Sequence, residues 1–128
     1  MQKKFECMGK SEKRNELVFF DDVIESIQKI EEYIEDVDEE AFAQNSEKQD
    51  AVIRRLEIIG EAVKSISDET REKYPHVRWR EIAGMRDIIV HQYFGISIEL
   101  IWRFAHTDLS NLKEEILLIV AEIKKIQR

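Results

Sequence analysis

One cysteine, one proline and four glycines in 128 residues leave this chain little that could staple or punctuate a small fold. Cys7 alone cannot form an internal disulfide, which excludes the disulfide-stapled class and suits a reducing compartment. With so few turn residues, a fold of many short strands is disfavoured and helices are expected. No apolar run approaches the roughly 20 residues of a membrane span; the longest aliphatic stretch is Ile116–Val120. The opening "MQKKFECMGKSEKRN" is basic but lacks the apolar segment of a signal peptide. Residues 1–15 are therefore read as a flexible lead, with Met8 as an alternative start and the cytoplasm as the compartment. Also missing are a glycine-rich phosphate loop, GxSxG, HExxH and any second His or Cys at metal-ligand spacing. No metal or other cofactor is expected, and Cys7 in the lead makes an improbable nucleophile.

What is present is a globular composition: 43% hydrophobic and 37% charged residues, enough chain for one domain over residues 16–128. The net charge of −7 argues against coating nucleic acid with a broad basic face. Charge is unevenly spread, however. Asp21 to Glu40 holds ten carboxylates against Lys29 alone, whereas "REKYPHVRWR" carries Arg71, Lys73, Arg78 and Arg80 against Glu72, and Arg86 follows. That basic stretch suits a phosphate-bearing ligand; an ordinary solvated loop is the competing reading.

Apolar periodicity supplies the fold class. From Glu16 to Asp38, Phe20, Val23, Ile24, Ile27, Ile30, Ile34 and Val37 recur every three or four residues, one stripe of an amphipathic helix. "AFAQN" reads as a connector or a helical turn, and Ser46 with Gln49 as a capping box opening the next helix. Val52, Leu56, Ile59, Val63 and Ile66 then step 4-3-4-3. Gly60 inside that helix costs about 1 kcal/mol of propensity, so it is read as a place where another backbone comes close. "SDETREKYP" reads as a capped turn stopped by Pro75, and "RWREIAGM" as another short turn leading into a helix from Met85 to about Phe94, with Gly95 as its C-cap. Ser97 caps a final stripe running Ile98 to Ile126, which Thr107–Asp108 could divide into two helices. The expectation is a small all-α bundle of four or five helices, with stripes long enough to be shared with a second copy.

Chemistry concentrates in "GMRDIIVHQYFGI", where Arg86, Asp87, His91 and Tyr93 interrupt an apolar run. On a helix, Arg86 and Tyr93 are two turns apart on one face, while Asp87 and His91 are an i,i+4 pair in which the carboxylate can orient the imidazole. An orienting carboxylate fixes the tautomer and raises the imidazole's basicity. Arginine binds phosphate oxygens bidentately, and histidine moves protons near neutral pH. The set therefore suits a phosphodiester. The competing reading is a plain helical ion pair with no reaction attached. His76 and His106 are read as surface or loop histidines, and Trp79 and Trp102 as core or interface anchors.

At these residues the sequence resembles the HepT-like branch of the HEPN ribonucleases, small all-α toxins of prokaryotic toxin–antitoxin pairs. Arg86, His91 and Tyr93 meet that family's Arg-x4-His-x-Tyr signature. The likeness runs from about Leu17 to Lys125 through "QDAVIRRLEIIGEAVKSIS", "YPHVRWREIAGMRDIIVHQYFGI" and "IWRFAHTDL". Gln92 stands where small residues are also familiar. The resemblance implies a HEPN-like bundle, a homodimer with two motifs facing across a cleft, and metal-independent RNA cleavage by attack of a ribose 2′-OH on phosphorus. With RNA as the implied substrate, Arg86 and His91 are the expected catalytic pair; the i,i+4 spacing makes Asp87 the orienting residue, and the basic stretch makes Arg78 and Arg80 candidates to bind RNA. The resemblance also implies a partner, a MntA-like minimal nucleotidyltransferase antitoxin that silences the toxin by AMPylation of Tyr93. Neither DNA nor membrane is expected as a partner. A second reading of a different class is a non-catalytic helical module that docks or binds substrate for a nucleotidyltransferase.

Overall fold

The computed structural model describes residues 9–91 and 97–126, with side chains over 16–89 and 97–126. Every regular element among them is helical: α1 (Gly9–Ile34), α2 (Glu39–Ala43), α3 (Ser46–Lys64), α4 (Asp68–Lys73), α5 (Trp79–His91), α6 (Ile98–Arg103), a π turn (Phe104–Asp108) and α7 (Leu109–Ile126). Four of these are long, and the fold is the all-α bundle that the stripes imply. None of the described helices is long and apolar enough to cross a membrane.

Helix α1 packs against α3 and α7, and α3 also packs against α5. Phe20, Val23, Ile27 and Ile30 of α1 meet Val52, Leu56, Ile59 and Val63 of α3 in one core, completed by Ile116 and Ile119 of α7. Each such side chain contributes about 1.5–3 kcal/mol by leaving water. Between these long helices the joints are polar and specific. Glu16, itself buried, accepts from the Ser67 backbone N–H at 2.8 Å and from the Thr70 hydroxyl at 2.6 Å, which ties α1 to the start of α4. Arg71 donates to the Val63 carbonyl at 2.7 Å, a second bond on a carbonyl near the end of α3 that also accepts from the Ile66 N–H at 3.1 Å. That arginine, counted in the basic stretch of the sequence, is therefore occupied by the fold.

Several boundaries differ from the sequence reading for identifiable reasons. Helix α1 ends at Ile34 rather than Asp38, because Asp36 adopts a left-handed φ of 61° and Asp38 turns outward to cap α2, accepting from the Ala41 N–H at 2.8 Å. Val37 still packs against the core from the turn. The helix begins at Gly9, inside the stretch read as a lead. Ser46 does not form a capping box: Asn45 is the N-cap of α3, accepting from the Lys48 N–H at 3.0 Å, and Gln49 reaches back to the carbonyls of Phe42 and Ala43. Residues 79–91 form one helix with no break at Gly84.

The last stripe bends at the expected place but not by capping. Ser97 caps α6 through the Leu100 N–H, as the sequence implies. At Thr107–Asp108 the helix widens into a π turn instead of stopping. Ile101, Ala105 and Leu109, all buried, are spaced by fours, which would drift about 40° per step around a regular α-helix. The wider turn absorbs that drift and keeps the stripe on the core.

Candidate active site

Helix α5 carries the motif. Trp79, Ala83, Met85 and Ile89 form its buried side, anchored where the Trp79 ring meets Phe20 at 6.4 Å and its indole N–H donates to the Tyr74 carbonyl at 2.9 Å. Arg86 and Asp87 lie next to that side, with side chains 33% and 48% exposed. The arginine is thus the more covered of the two.

Arg86 packs against Gly60 at its Cβ. A β-carbon built on Gly60 would lie 2.6 Å from the Arg86 Cβ and 3.3 Å from its backbone nitrogen. No real side-chain carbon tolerates the first distance, so α3 and α5 can cross at this point only because residue 60 has no side chain. The close approach that the isolated glycine suggests is therefore found, and the backbone it admits is that of the motif arginine.

Around the crossing, α3 adds two charges that the sequence reading did not single out. Glu61 Oε1 lies 3.2 Å from Arg86 Nε, and Lys64 Nζ donates to Asp87 Oδ1 at 2.9 Å. Arg86 Nη1 is 3.7 Å from the same Asp87 oxygen. Two carboxylates stand against two cations, so this cluster is formally neutral rather than basic. Glu61 and Lys64 sit in "GEAVK", beside the glycine that the sequence does flag. Their meeting with Arg86 and Asp87 needed knowledge of which helix crosses there, and no periodicity supplies it.

The other expected site residues fall in two groups. Arg78 and Arg80 are exposed near the first turn of α5, away from the Arg86 cluster; Arg78 lies 3.5 Å from Glu81, on a groove of about 610 Å³ that His76, Met85, Phe104 and Glu115 also line. The backbone of α5 continues to His91, whose Cα lies about 7.5 Å along the axis and roughly 140° around it from that of Arg86. The His91 side chain, the expected Asp87–His91 pair, Tyr93 and the Gly95 cap lie outside the described residues. Of the histidines read as peripheral, His76 is exposed 4.0 Å from Glu115, and His106 stacks on Trp102 at 5.1 Å. Trp79 is buried, and Trp102 packs on Phe42 at 5.3 Å.

Comparison with known proteins adds a family to this geometry. The sequence model of the family described as "HepT-like: Ribonuclease HepT-like" matches residues 23–119. A Methanocaldococcus jannaschii protein named "Gamma-glutamylcyclotransferase and putative RNase" is 48% identical over 108 residues, covering 84% of this chain and 49% of its own. A "Putative RNase" of the same organism is 41% identical over 104 residues, 81% of this chain and 95% of its own. A "Probable ribonuclease HepT" of Thermococcus cleftensis is 40% identical over 101 residues, 79% and 92% respectively. The chain thus spans about half the length of the first of these relatives and nearly all of the other two. No solved structure matches it.

Proposed function

Because this chain belongs to the HepT-like ribonuclease family, we propose that it is a metal-independent endoribonuclease toxin acting through Arg86 and His91 at a cleft between two copies. The observation that supports this most is Arg86. Its Cβ is fixed against Gly60, its Nε lies 3.2 Å from Glu61, and its side chain is one-third exposed. An arginine rooted in this way meets a phosphate with little ordering left to do, the condition under which a guanidinium stabilises charge growing on a phosphoryl oxygen.

In this reading Arg86 grips the scissile phosphate through its Nη edge. A ribose 2′-OH attacks the adjacent phosphorus, giving a 2′,3′-cyclic phosphate and a 5′-OH. One proton leaves the 2′-OH and another reaches the departing 5′-oxygen, so two proton-transfer groups are needed. Each motif offers one histidine, which is the reason for two motifs in one cleft. Exposed apolar residues on α7, Leu118 and Ile126, are surface that a second copy can cover. RNA would be chosen over DNA by its 2′-OH rather than by overall charge. The reading is tested by loss of RNA cleavage when either motif residue is changed and the fold is kept. Its two-copy cleft is tested by light scattering, where a dimer is expected at micromolar concentration. A 15.2 kDa monomer alone would contradict it.

A simple ribonuclease has no use for Tyr93, and here the proposal extends to control. A MntA-like nucleotidyltransferase partner would transfer AMP from ATP to the Tyr93 oxygen, which loses its proton as pyrophosphate leaves. The tethered phosphate would compete for Arg86 and its charge would repel the RNA backbone. Incubation with ATP and such a partner is expected to add AMP-sized mass to the wild type and nothing to Tyr93→Phe. A Tyr93→Phe protein that is still covalently silenced would remove Tyr93 from the account.

A further inference from the structure

The Arg86 cluster contains an apparent contradiction. A site meant to hold a phosphate keeps a carboxylate, Glu61, 3.2 Å from the arginine that would bind it. In bare electrostatic terms that carboxylate opposes substrate, because it repels the incoming phosphate and occupies part of the guanidinium's charge. It is also not needed to neutralise a buried cation, since Glu61 is 60% exposed and Arg86 reaches solvent. Placement explains its presence better. Glu61 approaches the Nε edge, and Asp87 Oδ1 stands 3.7 Å from Nη1 and is itself engaged by Lys64 at 2.9 Å. The guanidinium is thereby flanked by one carboxylate from α3 and one from α5. Gly60, the preceding residue, brings the two backbones close enough for the short Glu61 side chain to reach.

On the ribonuclease reading above, we infer that Glu61 is a positioning residue for Arg86, fixing the guanidinium so that its Nη edge faces the phosphate, at the expense of substrate affinity. Fixing the fork removes rotamer freedom that an exposed arginine otherwise loses in the transition state. The same negative charge weakens binding of the ground-state RNA. Glu61 therefore trades KM for kcat, and this split separates it from a residue that merely supports the fold.

The test is steady-state cleavage of a short single-stranded RNA by Glu61→Gln and Glu61→Asp in the full chain, with thermal melts alongside. Glu61→Gln removes the charge and keeps the shape; it is expected to lower kcat about tenfold and to lower KM about threefold, the latter shrinking at high salt. Glu61→Asp keeps the charge and loses reach; it is expected to lower kcat while leaving KM at the wild-type value. Melting temperatures should match the wild type, given the exposure of the side chain. An active wild type whose Glu61→Gln variant shows unchanged kcat and KM, or a raised KM, would overturn the inference and leave the ribonuclease reading standing. A wild type that does not cleave RNA at all would overturn both.

Discussion

Arg86→Ala and His91→Ala are each expected to lower RNA cleavage by about 10²–10⁴-fold while the helical fold persists. The Arg86 Cβ contact with Gly60 survives truncation to alanine, and the lost atoms belong to a side chain one-third exposed, so the fold loses little while the proposed phosphate-binding fork is removed. Arg86→Lys should not restore activity, since an ammonium cannot offer the planar fork that grips two phosphate oxygens. For His91, on the proposed mechanism, removal deletes a proton-transfer group. Asp87→Asn should be milder than either, because Asp87 holds Lys64 and flanks Arg86 rather than reacting. Single-turnover cleavage with circular dichroism on each variant checks these outcomes. Retained activity in His91→Ala would remove His91 from the catalytic pair.

Gly60→Ala is expected to lower both stability and cleavage, against the direction that helix propensity alone predicts. In an unconstrained helix, replacing glycine with alanine gains about 1 kcal/mol. Here the new methyl would stand 2.6 Å from the Arg86 Cβ and 3.3 Å from the Arg86 backbone nitrogen. Neither is the tip of a flexible side chain, so α3 and α5 must separate. Overpacking of this kind costs about 1–3 kcal/mol. The displacement acts directly on Arg86, and a shift of about 1 Å at a catalytic group can cost roughly 10²-fold in rate. A lower melting temperature together with reduced cleavage is the predicted pair. Gly84→Ala is the matched comparison on the neighbouring helix, because a β-carbon there meets nothing within 4 Å. It should keep activity and gain a little stability. If Gly60→Ala is the more stable and fully active variant, the crossing does not constrain the site.

Much of the bundle was legible because its information is local and periodic. The stripe through Phe20, Val23, Ile27 and Ile30 and the one through Val52, Leu56, Ile59 and Val63 are buried as their spacing requires. Ser97 caps where a serine ahead of an apolar run should. Reading failed where neighbouring residues offered equivalent local chemistry. Asn45 and Ser46 are both good N-caps, and the carbonyls of α2 decided the matter by recruiting Gln49. Gly84 resembles a breaker, but on the open side of α5 it only weakens a helix held by Trp79, Met85 and Ile89. The site was half legible. Arg86, Asp87, His91 and Tyr93 stand out as polar residues in an apolar run, whereas Glu61 and Lys64 look like any solvated face of α3. Only the helix crossing at Gly60 turns them into neighbours of Arg86, and a crossing is a tertiary fact.

The account turns on whether Arg86 and His91 cut RNA without a metal. The most direct measurement is end mapping of a defined single-stranded RNA and its all-deoxy counterpart, incubated in excess EDTA with purified, unmodified protein and with His91→Ala. The account predicts that the wild type cuts the RNA, leaves 2′,3′-cyclic phosphate and 5′-OH ends, and spares the DNA, while His91→Ala is inert. Cleavage that vanishes in EDTA, extends to the DNA, or persists in His91→Ala would contradict it.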